Sequence, residues 1–272
     1  SLAAPAAHAD VLESVTKAGV LKVAVPQDFP PFGSVGADLK PRGYDIDMAT
    51  LIAKELGVKV ELIPVTSTNR IPYLTTGKAD LVISSLGKNP DRAKVIDFSD
   101  AYAPFFNGVF GPKDAQVAGP ADLSGKVVGV TRGSVEDLEL TKIAPQDVTI
   151  KRFEDNNGTI SAYLTGQVQL VATGNVVAAA VNDMTDLRAL SAKFLIKNSP
   201  CYVGVNKGEA ALLAKVNSII AKAKTDGALE AISRKWLQQP RCQRAWDPRL
   251  LAGTLLSSAR AGAMTRRASR QT

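Results

Sequence analysis

The sequence predicts an α/β protein of two lobes, each a mainly parallel sheet flanked by helices. Three observations carry that expectation. Short apolar strand patterns alternate with helical ones, the order that lays strands parallel with helices on both faces. The alternation starts twice, on either side of Ala118-Gly119-Pro120. The chain has 272 residues, of which 45% are apolar and 22% charged, enough for two cores of ordinary size.

Along the chain, residues 20–26 form a buried-strand pattern stopped by Pro26, and a turn-rich segment follows to Gly33. Residues 45–56 place Ile46, Ala49, Ile52, Ala53 and Leu56 at helical spacing, and Gly57 suits the position just past a helix end. Residues 58–63 alternate as a strand, 70–76 read as a helix and 79–84 as a further strand. The second series has strands at 126–130, 148–153 and 169–173. Its helices begin near Val135, at 160–165 (closed by Gly166) and at 176–182. Residues 107–111 and 202–205 are extended and apolar, and are expected to cross between the lobes. Residues 212–236 form an amphipathic helix pair divided at Gly227, which would close the first lobe. The expected organisation is a terminus at 1–10, a first lobe of 11–109 with 203–240, a second lobe of 110–202, and a tail at 241–272.

The net charge of +7 does not describe the body of the chain. Residues 241–272 hold seven Arg against Asp247 alone, so residues 1–240 carry only +1. A nucleic-acid-binding surface on the body therefore has little support. The tail has no sustained apolar period and is expected to be disordered. Ala7-His8-Ala9 has the form of a signal-peptidase site, which points to export and to a leader remnant at 1–10. His8 is the only histidine, leaving the body without His-based catalysis or a zinc site. Cys201 and Cys242 are too few for a disulfide framework.

In open α/β sheets ligands bind beyond the carboxyl ends of the strands. Four segments fall there: 27–32, 66–70, 84–92 and 131–135. Ser84-Ser85 ends a strand, with Gly87 and then Arg92 at a helix entry. Thr131-Arg132-Gly133-Ser134 brings hydroxyls and N–H groups to a helix N-terminus. Both are anion-binding arrangements, through N–H donors, the helix dipole and a guanidinium fork.

Several motifs occur in a telling order. They are Gly43-Tyr44-Asp45-Ile46-Asp47-Met48-Ala49 with Gly57-Val58, then Ser84 through Arg92 followed by Ile96-Asp97-Phe98-Ser99, then Ala121 through Val130 with Gly133-Ser134. Over residues 17–238 the chain resembles the family-3 extracellular solute-binding proteins of polar amino acid ABC transporters. Thr66-Ser67-Thr68-Asn69-Arg70-Ile71-Pro72 is similar to the glutamate/aspartate branch. The resemblance implies a periplasmic binding protein type II clamshell with two crossing strands as hinge. It also implies a small carboxylate or amino acid ligand, a membrane permease as partner, a periplasmic location, no cofactor or metal, and no need for more than a monomer.

Residue by residue, the resemblance gives Arg92 the ligand's α-carboxylate, assisted by Ser84, Ser85 and the backbone near Gly87. Ser134 and the Val135 N–H contribute from the other lobe, Phe29 is an aromatic wall, and Arg70 with Ser67 reaches a second acidic group. Arg132 is a further candidate beside the second loop. The chain departs from the family pattern at three positions. Gly87 stands where the family has Ser or Thr, Gly174 where many members have an Asp for the α-ammonium, and Pro26 where the acidic branch has a basic residue. Either the ligand lacks an amine, or Asn175, Asn156 or Asp155 takes it. Two alternatives share the fold: a cyclohexadienyl dehydratase-like enzyme, with Glu136 or Glu154 as acid, and a ligand-sensing receptor module.

Overall fold

The computed structural model describes residues 10–237. The expected tail, Cys242 and all of the leader remnant but Asp10 lie outside the described residues; Asp10 caps the helix Val11–Ala18. Two five-stranded sheets form the body. The first runs in the order Lys59–Pro64, Val20–Val25, Leu81–Val82, Cys201–Asn206, Ile96–Ala103. Its first three strands are parallel, and Cys201–Asn206 pairs antiparallel with both of its neighbours. The second runs Thr149–Phe153, Val127–Thr131, Leu170–Gly174, Phe106–Gly111, Ser191–Asn198. There too the first three are parallel and the last two pairings antiparallel.

The first core forms where Leu21, Val23 and Val25 meet Met48, Ala49 and Ile52 of the helix Tyr44–Leu56, and Val216, Ile219 and Ile220 of Ala210–Thr225. Each large aliphatic side chain so buried contributes about 1.5–3 kcal/mol. The helix Tyr44–Leu56 ends where expected, with Gly57 left-handed at φ 70°. The C-terminal pair is Ala210–Thr225 and Ala228–Leu237, and both pack into this core. A cluster around Val109, Val128, Val130, Leu140 and Leu170 fills one face of the second sheet; Phe110, Tyr163, Val171 and Val181 fill the other.

Neither segment expected to cross does so. Phe106–Gly111 lies wholly in the second sheet and Cys201–Asn206 wholly in the first. The chain changes sheets in the short links between Ala103 and Phe106 and between Asn198 and Cys201, earlier than the expected bounds. Ser199 N donates to Phe105 O at 2.9 Å, tying the two links together. The physical reason is the apolar run itself: residues 107–111 are buried on both sides as a central strand, which no solvent-exposed hinge would be. Of the expected strand 79–84 only Leu81–Val82 forms, because the chain turns at Ser85.

Candidate functional site

The loops that leave the carboxyl ends of the parallel strands converge on one cleft between the sheets. From the first sheet come Pro26 and Phe29, Thr66, Ser67 and Arg70, and Ser84, Ser85 and Gly87. From the second come Thr131, Ser134, Val135 and Glu136, with Asn156 and Thr173. The links add Phe105 and Ser199. The two sides of the cleft touch, where Arg92 reaches Gly133 O and Asn156 reaches Asp28.

Arg70 opens the short helix Arg70–Thr75 and is buried. Its Nη1 donates to Ser84 O at 2.6 Å, while its buried Nε has no partner. Burial pushes its pKa down, and the charge of Glu136 opposes that most strongly. Ser85 has φ 42°, a left-handed value that costs a non-glycine residue about 1 kcal/mol. Asp45 holds it there: Ser85 N donates to Asp45 Oδ2 at 2.7 Å, and Tyr102 Oη donates to Oδ1 at 2.6 Å. Asp45 is wholly buried, and desolvation raises its pKa to about 7 against these hydrogen bonds and the charge of Arg70. Through these two bonds it positions the cleft wall.

Four expected site residues stand elsewhere. Arg92 lies behind the wall, with Nη1 on Gly87 O at 2.8 Å and Nη2 on Gly133 O at 3.0 Å, so its guanidinium bridges the two sides. Burial, and then the charge of Arg70, push its pKa down to about 9. Arg132 follows Thr131, whose side chain takes the inward position at the strand end, and it pairs with Glu154 on the surface at 2.8 Å. Gly174 does not line the cleft, because the Phe105 ring covers it: a Cβ there would fall 2.1 Å from Cζ. Asn175 turns away, its Oδ1 accepting from Phe106 N at 3.2 Å, and it lines a separate cavity of the second sheet.

The Thr131-to-Ser134 loop is also less free than its sequence suggests. Gly133 N donates to Asp137 Oδ2 and Ser134 N to Thr131 O. Ser134 Oγ caps the helix Val135–Ile143 by accepting from Asp137 N. The donors left for a ligand are the Ser134 hydroxyl and the N–H groups of Val135 and Glu136, which have no partner inside the helix. Asn156 lines the cleft but is shared: its Nδ2 donates to Asp28 Oδ1 at 3.1 Å, and Asn157 N donates to Asp28 Oδ2 at 2.9 Å. Asp28 thus latches the first side onto the positive end of the helix Asn156–Leu164.

Sequence reasoning missed Asn107, Phe105 and Ser199 as cleft residues, and considered Glu136 only as an acid in the enzyme alternative. Asn107 looked like part of a crossing strand, and the two links carry no local motif. Glu136 had one usable signal, its place in the first turn of a helix that opens on the cleft.

The model of the bacterial extracellular solute-binding proteins, family 3, matches residues 21–239. The chain belongs to this family. An ABC transporter glutamine-binding protein of Bacillus subtilis is 28% identical over 201 residues, 72% of this chain and 73% of the relative. Among solved structures, a solute receptor for L-cysteine of Neisseria gonorrhoeae superposes with a TM-score of 0.81 at 31% identity, covering 89% of this chain and 98% of that one. An ancestral amino acid-binding protein described as a precursor of cyclohexadienyl dehydratase gives 0.77 at 31% identity, covering 83% and 98%. The fold is the type II clamshell, and the family member's role is to bind a substrate, not to transform it.

Proposed function

We propose that the chain captures a free amino acid in the cleft, in the periplasm, and delivers it to an ABC transporter permease as a monomer. The observation that carries the amino acid reading is Arg70: a buried guanidinium on the cleft wall whose Nε lacks an acceptor. A ligand carboxylate meets that need, with Ser67, Ser85 and the Ser134 hydroxyl as further donors and Phe29 and Phe105 as apolar walls. A charge-assisted bond of this kind in a dry cleft is worth more than in water. Arg92 adds positive charge behind the wall and joins the two sides when they close. The relatives' glutamine and L-cysteine support the ligand class, and the shut cleft favours a small ligand.

Closure follows from the same contacts. The Asp28 latch and the bond from Arg92 to Gly133 link groups on opposite sheets, so they form only when the cleft is shut. Contacts made in one state alone are what shift a hinge equilibrium toward it. The test is a thermal-shift screen of ligand-stripped protein against the standard amino acids and their carboxamides. A binder raises the Tm by mass action. At least one amino acid is expected to do so and its carboxamide to fail; if no amino acid raises the Tm, the reading is wrong.

A further inference from the structure

Glu136 is a second charged group of the cleft. It sits in the first turn of the helix Val135–Ile143, where a carboxylate usually complements the helix dipole from the solvent side. This one instead lines the cleft and is only 5% exposed. Burying a carboxylate costs several kcal/mol unless hydrogen bonds or a cation offset it. Among the described residues it forms no salt bridge, and one amide contact supports it: Asn107 Nδ2 donates to Oε1 at 2.7 Å.

Asn107 is 1% exposed and also lines the cleft, and its own Oδ1 is a buried acceptor with no donor. Such orphans are rare in folded proteins and each costs about 1–3 kcal/mol. The described residues hold two orphaned buried side-chain atoms, Asn107 Oδ1 and Arg70 Nε, and both side chains face the same cleft. One orphan needs a donor and stands beside a carboxylate; the other needs an acceptor and belongs to a guanidinium. Glu136 and Arg70 interact across the cleft without touching, since Glu136 is the largest influence favouring the charged form of Arg70.

We propose that Glu136, held in place by Asn107, receives a protonated amine of the ligand, and that with Arg70 it makes the cleft selective for zwitterions. The proposal rests on the amino acid reading above. The ligand amine donates to Glu136 and Asn107 Oδ1, and its carboxylate accepts from Arg70. A single molecule bearing both charges satisfies both orphans, whereas a simple carboxylate leaves Glu136 facing it as a repelling charge. The amine can be the α-amine or one on the side chain.

The test compares wild type with Glu136→Gln by calorimetry. The probes are the standard amino acids and the desamino forms of alanine, glutamate, glutamine and lysine. Gln keeps the shape and can still accept from Asn107, but turns its amide N–H groups toward the ligand. The affinity for the amino acids bound by wild type is expected to fall at least about thirtyfold, while desamino forms bind the variant as well as, or better than, wild type. A penalty confined to ligands with an α-amine assigns the site to that group; one that persists with desamino-lysine, which keeps only the side-chain amine, assigns it to the side-chain amine. Glu136→Asp, which keeps the charge, is expected to retain the selectivity at reduced affinity, and this also decides the matter if the Gln variant does not fold. Equal losses for amine-bearing and amine-free ligands, or no loss, would overturn the proposal and leave the amino acid reading standing. If wild type binds no amino acid, both fall.

Discussion

Two glycines, Gly87 in the cleft and Gly174 behind the Phe105 ring, depart from the pattern that the resemblance implies, and each is filled from elsewhere in a different way. At Gly174 the place of a side chain is taken by the Phe105 ring, whose Cζ, Cε2 and Cε1 all lie within 2.9 Å of where a Cβ would stand. Phe105 packs with Phe29 and Phe32 in the first core, so this is part of the folded architecture. At Gly87 the space is shared by Ser199 Oγ at 2.5 Å and Val135 Cγ2 at 2.7 Å. Val135 belongs to the opposite side and reaches Gly87 only when the cleft is closed. The same residue type therefore serves folding at one site and closure at the other, and what a glycine does is set by which element approaches it.

That difference is open to test. The largest effect is expected from Gly174→Asp, which forces a carboxylate into the aromatic cluster and should cost about 3 kcal/mol in denaturant unfolding. Adding Phe105→Ala should recover part of that loss, beyond simple additivity by more than about 0.5 kcal/mol; strictly additive losses would mean that the ring does not hold the place of the missing side chain.

A somewhat smaller effect concerns the wall below Gly87, where Asp45 fixes Ser85. The pKa of Asp45 in the folded protein is about 7, above its ordinary value of 3.8. Ionising it therefore costs folding free energy, and its contribution to stability declines as pH rises from about 4 to about 7. Asp45→Asn has no such titration. Its oxygen can still accept from Ser85 N while Nδ2 donates to the Tyr102 hydroxyl, as the protonated acid does; the second Nδ2 hydrogen is left over, so the variant should be about 1 kcal/mol less stable at acidic pH. The fall of Tm between pH 4 and 7 should also be shallower than in wild type. A variant with the slope of wild type would show that Asp45 does not titrate in this range.

The smallest effect on the fold is expected at Gly87 itself. Gly87→Ser meets a rotatable hydroxyl and a residue of the other side, so the ligand-free Tm should move by no more than a few degrees. Ligand affinity should nevertheless fall about tenfold, the equivalent of 1.4 kcal/mol. A loss of stability as large as that of Gly174→Asp would erase the distinction between the two glycines.

Much of this protein is legible in local sequence. The parallel strands, the helix closed at Gly57, the C-terminal helix pair and the loops at the strand ends all follow from apolar period and turn chemistry acting over a few residues. Phe29, Ser67, Arg70, Ser84, Ser85, Gly87, Ser134, Val135 and Asn156 reach the cleft because each sits on such a loop. Arg92, Arg132, Gly174 and Asn175 lie close to such strand ends and do not, because a position along the chain does not say which groups the fold will bring against it. Carbonyls from both sides claim Arg92, Glu154 draws Arg132 outward, and an aromatic ring covers Gly174.

The sequence by itself determined the two-sheet α/β architecture, the strand ends at which a ligand would sit and the cationic character of the first wall, since these depend on neighbours in the chain. Only the tertiary structure decided where the chain passes between sheets. It also decided that Asp45 supports Ser85 across 40 residues, and that Asn107 and Glu136, 29 residues apart, share a hydrogen bond in the cleft. Those pairings join strand, helix and link from distant parts of the chain. Their energetics come from burial, which exists only once the two sheets have folded and closed on each other.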